Sequence, residues 1–200
     1  VRGLIMYLEF LDRKNDYIKA SRRAFEAGLA AGTGGNISVR LPGDRMLVKP
    51  SGITLGEAGE ENLIITDFAG NLTEGTRKPT KETLLHGELY RSYPDIGAVV
   101  HVHPIYTIAA ANRFDRMELV TKQMKQIMDG PVPVCKIKNN TVDAAGMEMI
   151  HGIFRDHPGI PCFLLEEHGL VAVGKTAVEA CYAAELAEEN AKVFWAVRQP

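Results

Sequence analysis

Gly97-Ala98-Val99-Val100-His101-Val102-His103 is β-branched and apolar along one parity, which predicts a strand. Residues i and i+2 of a strand project from the same face, so His101 and His103 can converge on one point in space. Residues 162–166 and 170–173 read as two further strands on either side of His168-Gly169. A hairpin signal lies upstream, with strands at 37–41 and 46–49 around the turn Pro42-Gly43-Asp44. Paired strands joined by short turns predict a mainly antiparallel sheet, and a further strand is expected at 62–66.

Helical spacing surrounds these strands. Ile5, Leu8, Leu11, Ile18, Ala24, Phe25 and Leu29 recur with the period of a helix over residues 4–31. Helices are also predicted at 81–90, 105–112, 143–154 and 176–197. Thr176 and Glu179 form the Thr-x-x-Glu signature of a capping box at the start of the last helix. Residues 67–80, polar and broken by Gly and Pro, read as a long loop. No repeat or linker interrupts the pattern, so one mixed α/β domain over residues 1–200 is expected.

Composition narrows the partners. Lys and Arg total 23 against 25 Asp and Glu, a net charge of −2, which gives no global field for nucleic acid or an anionic membrane surface. The most apolar stretch, 96–111, carries His101, His103 and Pro104 and does not qualify as a membrane span. Cys135, Cys162 and Cys181 are widely spaced, odd in number and set among apolar residues, so buried inert thiols are expected. With no export signature, a cytoplasmic location is the expectation.

Three neutral imidazoles, His101, His103 and His168, with an open fourth position would suit a catalytic zinc site. Such pairs also arise by chance, and a strand histidine is often a satisfied core residue; spacing leaves both readings open. His86, His151 and His157 are read as structural. Glu82 opens the helix before the histidine strand, where it could cap the helix through the dipole or serve as a general acid and base. Gly34-Gly35-Asn36 can wrap backbone N–H groups around an anion. Ser51-Gly52 and Thr80-Lys81 offer a hydroxyl, more amides and a helix start, each also an ordinary turn or cap.

In the order Gly-Asn-Ile-Ser loop, Pro-Ser-Gly turn, acidic residue, HxH and His-Gly, the chain resembles the class II aldolase/adducin-head family, from Gly32 to Thr176. The resemblance implies a three-layer α/β/α fold with a central, largely antiparallel sheet. It makes His101, His103 and His168 ligands of Zn²⁺ or another divalent metal, and Glu82 the catalytic acid/base. It puts Gly35, Asn36, Ser51, Gly52, Thr80 and Lys81 around a substrate phosphate. It further implies a homotetramer with active sites between subunits and a small phosphorylated sugar as substrate.

Differences from the family pattern bear on the reaction. A Glu at position 82 is similar to the aldolases, whereas the 4-epimerases carry Asp there. Thr80-Lys81-Glu82 resembles the Ser-Lys-Glu of the 3-oxo-tetronate 4-phosphate decarboxylases. Residues 119–129 contain no Tyr to match the one that aldolases donate across a subunit boundary. Glu167 stands where an Asn is often found, and is expected to orient a metal ligand. Aldol cleavage is the leading expectation, decarboxylation or epimerisation on the same scaffold the alternative, and an adducin-like oligomeric scaffold the non-enzyme alternative.

Overall fold

The structure, a computed structural model, describes residues 2–137 and 141–198. Among these residues, nine strands form one sheet in the order β4-β3-β2-β1-β5-β9-β8-β7-β6. They are β1 (Asn36–Leu41), β2 (Arg45–Val48), β3 (Ile64–Asp67), β4 (Leu72–Glu74), β5 (Ala98–Val102), β6 (Arg116–Met117), β7 (Val132–Cys135), β8 (Cys162–Leu165) and β9 (Gly169–Gly174). Every pairing is antiparallel except β7 with β8. Among the described residues, six α-helices flank the sheet: α1 (Arg2–Glu26), α2 (Thr83–Ser92), α3 (Ile105–Arg113), α4 (Lys122–Ile127), α5 (Ala144–Asp156) and α6 (Ala177–Ala196). The α/β class and mainly antiparallel sheet read from the strand pattern are present.

β5 lies between β1 and β9 and is buried along its whole length. That central position explains its near-continuous apolar sequence, because both faces of the strand are covered. Helix α6 packs against β5 and β9 and also meets α1, α3 and α4. Helix α2 covers the face of β1 that carries Asn36, Ser38 and Arg40. The Ser38 hydroxyl bonds His86 and Tyr90, and Arg40 donates to the carbonyls of Tyr90, Tyr93 and Ile96. Stacking of Tyr93 on Phe154 then joins α2 to α5. The three cysteines are free and buried, and burial raises each thiol above its ordinary value. Among the described residues, no helix is long and apolar enough to cross a membrane.

The first helix stops at Glu26, short of the expected residue 31. Gly28 takes φ +69°, and the N–H groups of Gly28 and Leu29 donate to Phe25 and Ala24, a left-handed Schellman ending. The released segment puts the Leu29 carbonyl within 2.9 Å of the His103 amide nitrogen, so the early stop serves the end of β5. The expected loop at 67–80 contains the edge strand β4. At the start of α6, Thr176 caps Glu179 N–H, but the Glu179 carboxylate accepts from Lys175 N–H; the reciprocal box expected with Thr176 is replaced by a bond one residue earlier.

Candidate metal centre and its surroundings

His101 and His103 sit at the end of β5, and His168 in the tight turn between β8 and β9. That turn is closed by a bond from His168 N–H to the Leu165 carbonyl, with Glu167 in the left-handed region at φ +57°. The rings converge: His101 Nε2 is 3.1 Å from His103 Nε2 and 3.2 Å from His168 Nε2. A four-coordinate zinc about 2.0–2.1 Å from each nitrogen spaces its ligands about 3.3 Å apart, close to these separations. His101 Nδ1 donates to the Leu170 carbonyl at 3.1 Å, which leaves the lone pair on Nε2, facing the other two rings. Burial, reinforced by its two ring neighbours, holds His101 well below its ordinary value. Burial chiefly, then His168 and Lys49, pushes His103 down to about 4, and burial lowers His168. Rings kept neutral in this way suit a cation and disfavour a proton.

Two glycines make room for this cluster. A Cβ at Gly34 would come within 2.9 Å of His103 Nδ1, and one at Gly169 would run into the Val102 carbonyl and meet His103 Cδ2 at 2.9 Å. Neither close approach is legible in the sequence, although Gly34 lies in the glycine-rich loop and Gly169 directly follows His168.

Glu82 occupies the N-cap position of α2 but makes no side-chain capping bond, so the capping role is not the one taken. The residue is 7% exposed, and its Oε2 is buried without a partner among the described residues. Burial raises its carboxyl to about 7, a value suited to giving and taking a proton near neutrality.

The anion-binding candidates come from three loops. Asn36 pairs with His101 across β1 and β5, and its Oδ1 is buried and unpartnered. Gly35 (φ +69°) is wedged against the His101 carbonyl and Leu55. A bridge between Pro50 and Pro79 brings the Ser51-Gly52 turn to Thr80-Lys81. Ser51 spends its N–H on the Lys78 carbonyl and its hydroxyl on the Pro79 carbonyl, so it holds the two loops together. Gly52 (φ +83°) has open space at its Cα, and Lys81 is exposed.

Lys49, missed in the sequence, is 3% exposed; its Nζ donates to the Thr33 carbonyl at 2.9 Å. Burial lowers it to about 8. A lysine ending an otherwise inward apolar strand, Met46-Leu47-Val48-Lys49, was the available signal. Glu167 does not fill its expected role: it is exposed, and the Nδ1 atom of His168 is buried with no partner. The left-handed turn aims its backbone N–H at Asn112 Oδ1, 2.7 Å away. His86 is fully buried on the sheet side of α2. His151 Nδ1 bonds Tyr93 at 2.9 Å, in keeping with a structural role. A cavity of about 650 Å³ lined by Tyr93, Ile96, Phe154, Pro161, Tyr182 and Leu186 lies at the Gly174 end of β9, away from the histidines.

Residues 15–195 match the family described as Class II Aldolase and Adducin N-terminal domain. An L-fuculose phosphate aldolase of Methanococcus maripaludis is 30% identical over 178 residues, covering 89% of this chain and 93% of that protein. A 3-oxo-tetronate 4-phosphate decarboxylase of Haemophilus influenzae is 31% identical, covering 94% and 89%. A methylthioribulose-1-phosphate dehydratase of Pseudomonas aeruginosa is 32% identical, covering 82% and 83%. Among solved structures, an L-fuculose 1-phosphate aldolase superposes with a TM-score of 0.78 at 28% identity, covering 94% of this chain and 86% of that one.

Proposed function

The chain belongs to the class II aldolase and adducin N-terminal domain family, and within it we propose a zinc-dependent aldolase that cleaves a phosphorylated ketose, similar to L-fuculose 1-phosphate, into dihydroxyacetone phosphate and an aldehyde. The observation that carries this reading is the convergence of His103 Nε2 and His168 Nε2 on His101 Nε2, at 3.1 and 3.2 Å, in a chain whose buried Glu82 is tuned to about 7. His101, His103 and His168 would hold the metal. A bound divalent ion supplies Lewis-acid stabilisation of negative charge on substrate oxygens. As the C–C bond breaks, the hydroxyl that becomes the aldehyde oxygen releases its proton to water, and Glu82, protonated at that moment, gives its proton to the carbon left with the electron pair; in condensation the Glu82 carboxylate removes the proton from that carbon and water protonates the aldehyde oxygen. Amides of Gly35, Asn36 and Gly52, with Thr80 and Lys81, surround the phosphate, and Ser51 braces their loops. Lys49 adds a buried positive charge beside them. The active assembly is a homotetramer acting in the cytoplasm, each site completed by a neighbouring subunit.

Decarboxylation of a 3-oxo-tetronate 4-phosphate is the second reading, favoured by Thr80-Lys81-Glu82 and by the Haemophilus relative. Here Glu82 reprotonates the carbon that CO₂ leaves. A panel of phosphorylated ketoses and oxo-tetronate phosphates, scored separately for dihydroxyacetone phosphate and CO₂, tells the two apart. The Glu82→Gln variant is expected to keep fold and metal but lose proton exchange at the reacting carbon; near wild-type exchange rules out its acid/base role. Protein purified without chelator and carrying no stoichiometric divalent ion would leave the oligomeric-scaffold reading instead.

A further inference from the structure

Behind Glu82 lies a buried polar chain that the proposed chemistry does not use. Tyr90 is buried, and Ser38 Oγ is the acceptor within reach of its hydroxyl among the described residues, so its proton goes to Ser38. Tyr90 Oη lies 2.6 Å from Ser38 Oγ, and Ser38 Oγ lies 2.6 Å from His86 Nδ1. Followed in that direction, Tyr90 donates to Ser38 and Ser38 donates to His86 Nδ1. The ring then carries its single proton on Nε2. That atom is fully buried and has no partner among the described residues. Two buried acceptors nearby in the fold are also unpartnered, Glu82 Oε2 and Asn36 Oδ1. Glu82 stands one helical turn before His86, whose N–H donates to the Glu82 carbonyl, and four-residue spacing puts both side chains on one face of α2. A buried donor and a buried acceptor left open on the same helix face call for a physical account.

We propose that His86 is a positioning residue for Glu82: Tyr90 and Ser38 hold its ring in the Nε2–H tautomer, and that N–H, not bonded to Glu82 in this structure, becomes the hydrogen-bond donor to the carboxylate once Glu82 ionises. This rests on the acid/base role proposed for Glu82. The bond stabilises the ionised carboxylate formed once the proton has been delivered, and it fixes which oxygen faces the reacting carbon. The ring touches no substrate and transfers no proton.

Nitrogen NMR of histidine-labelled, zinc-loaded protein tests the tautomer directly. The expected result is a protonated Nε2 and an unprotonated Nδ1 at His86, with the Hε2 resonance moving in Glu82→Gln. A proton on Nδ1, or an Hε2 signal indifferent to Glu82→Gln, overturns the proposal. Kinetics provide a second readout. Gln at position 86 offers an amide near the Nε2 position and Asn near the Nδ1 position. His86→Asn is expected to lower kcat for solvent proton exchange into dihydroxyacetone phosphate about 10- to 100-fold with little change in KM, and His86→Gln to recover most of it. Equal losses, or better activity in the Asn variant, would assign His86 a purely structural bond to Ser38. If Glu82→Gln itself retains exchange, the acid/base reading has failed; the NMR signature of His86 is then still read independently.

Discussion

Glu82 and the buried histidines titrate in opposite senses, and this fixes how the metal-free protein responds to acid. Burial raises Glu82 from 4.5 to about 7, so between those values the folded chain keeps a proton that the unfolded chain has lost. Its contribution to stability is therefore full below pH 4.5 and lost as pH rises through 7. Burial lowers His86 from 6.5 to about 3 and His103 to about 4, so their contributions are present above pH 6.5 and lost on acidification. The histidines outnumber the carboxyl, and the melting temperature of chelator-treated protein is expected to fall from pH 7 to pH 4.5. In Glu82→Gln the offset is gone, and the fall should be steeper by at most about 3 kcal/mol, or roughly 6–12 °C. Parallel melting curves for the two proteins would contradict the buried, proton-holding state of Glu82. The histidines and Glu82 were legible as candidates because chemistry and spacing mark them. The close approach of Gly34 and Gly169 was not, since it depends on which backbone lies against which ring, and Lys49 left only its place at the end of an apolar strand as a trace.

At the level of elements, α6 begins with help from another helix. The carboxylate of Asp16 in α1 accepts from the N–H groups of Ala177 (2.6 Å) and Val178 (3.1 Å), while Thr176 caps Glu179. A negative charge against the first turn satisfies donors that have no intrahelical partner. Asp16→Ala should cost about 1.5–3 kcal/mol, more than the ~1 kcal/mol expected for Thr176→Ala. Chemical denaturation of both variants measures the order; a smaller loss at Asp16 would show that the inter-helix cap contributes little. The Thr176 signature was readable because it is local. Asp16, 161 residues from Ala177, leaves no local trace. Strands β4, β6 and β7 escaped the pattern for related reasons. β4 is three exposed residues at the sheet edge, β6 is two residues, and β7 begins Val132-Pro133 and takes its register from a parallel partner. None has the continuous buried apolar run that made β5 and β9 visible.

The whole molecule presents apolar side chains beside its candidate centre. Leu84 follows Glu82 into α2 and is 61% exposed; Ile105 and Tyr106 follow His103 into α3 and are 76% and 42% exposed. The first turn of α3 is held firmly, because the buried carboxylate of Glu188 accepts from the N–H groups of Tyr106 and Thr107. A rigid turn offering bare Ile105 next to a metal cluster is a reasonable face for a second subunit. Light scattering should return about 88 kDa, four times 22.0 kDa. Ile105→Asp introduces a charge that assembly would bury, and should shift the population to smaller species. The three histidines come from one chain, so the dissociated variant should still bind one divalent ion per chain. If each site is completed by a neighbour, its turnover should fall with assembly, in proportion to the tetramer lost. A variant that dissociates yet keeps its activity per chain would place the whole reaction within one subunit, and a mass of 22.0 kDa for the unaltered protein would remove the shared site altogether.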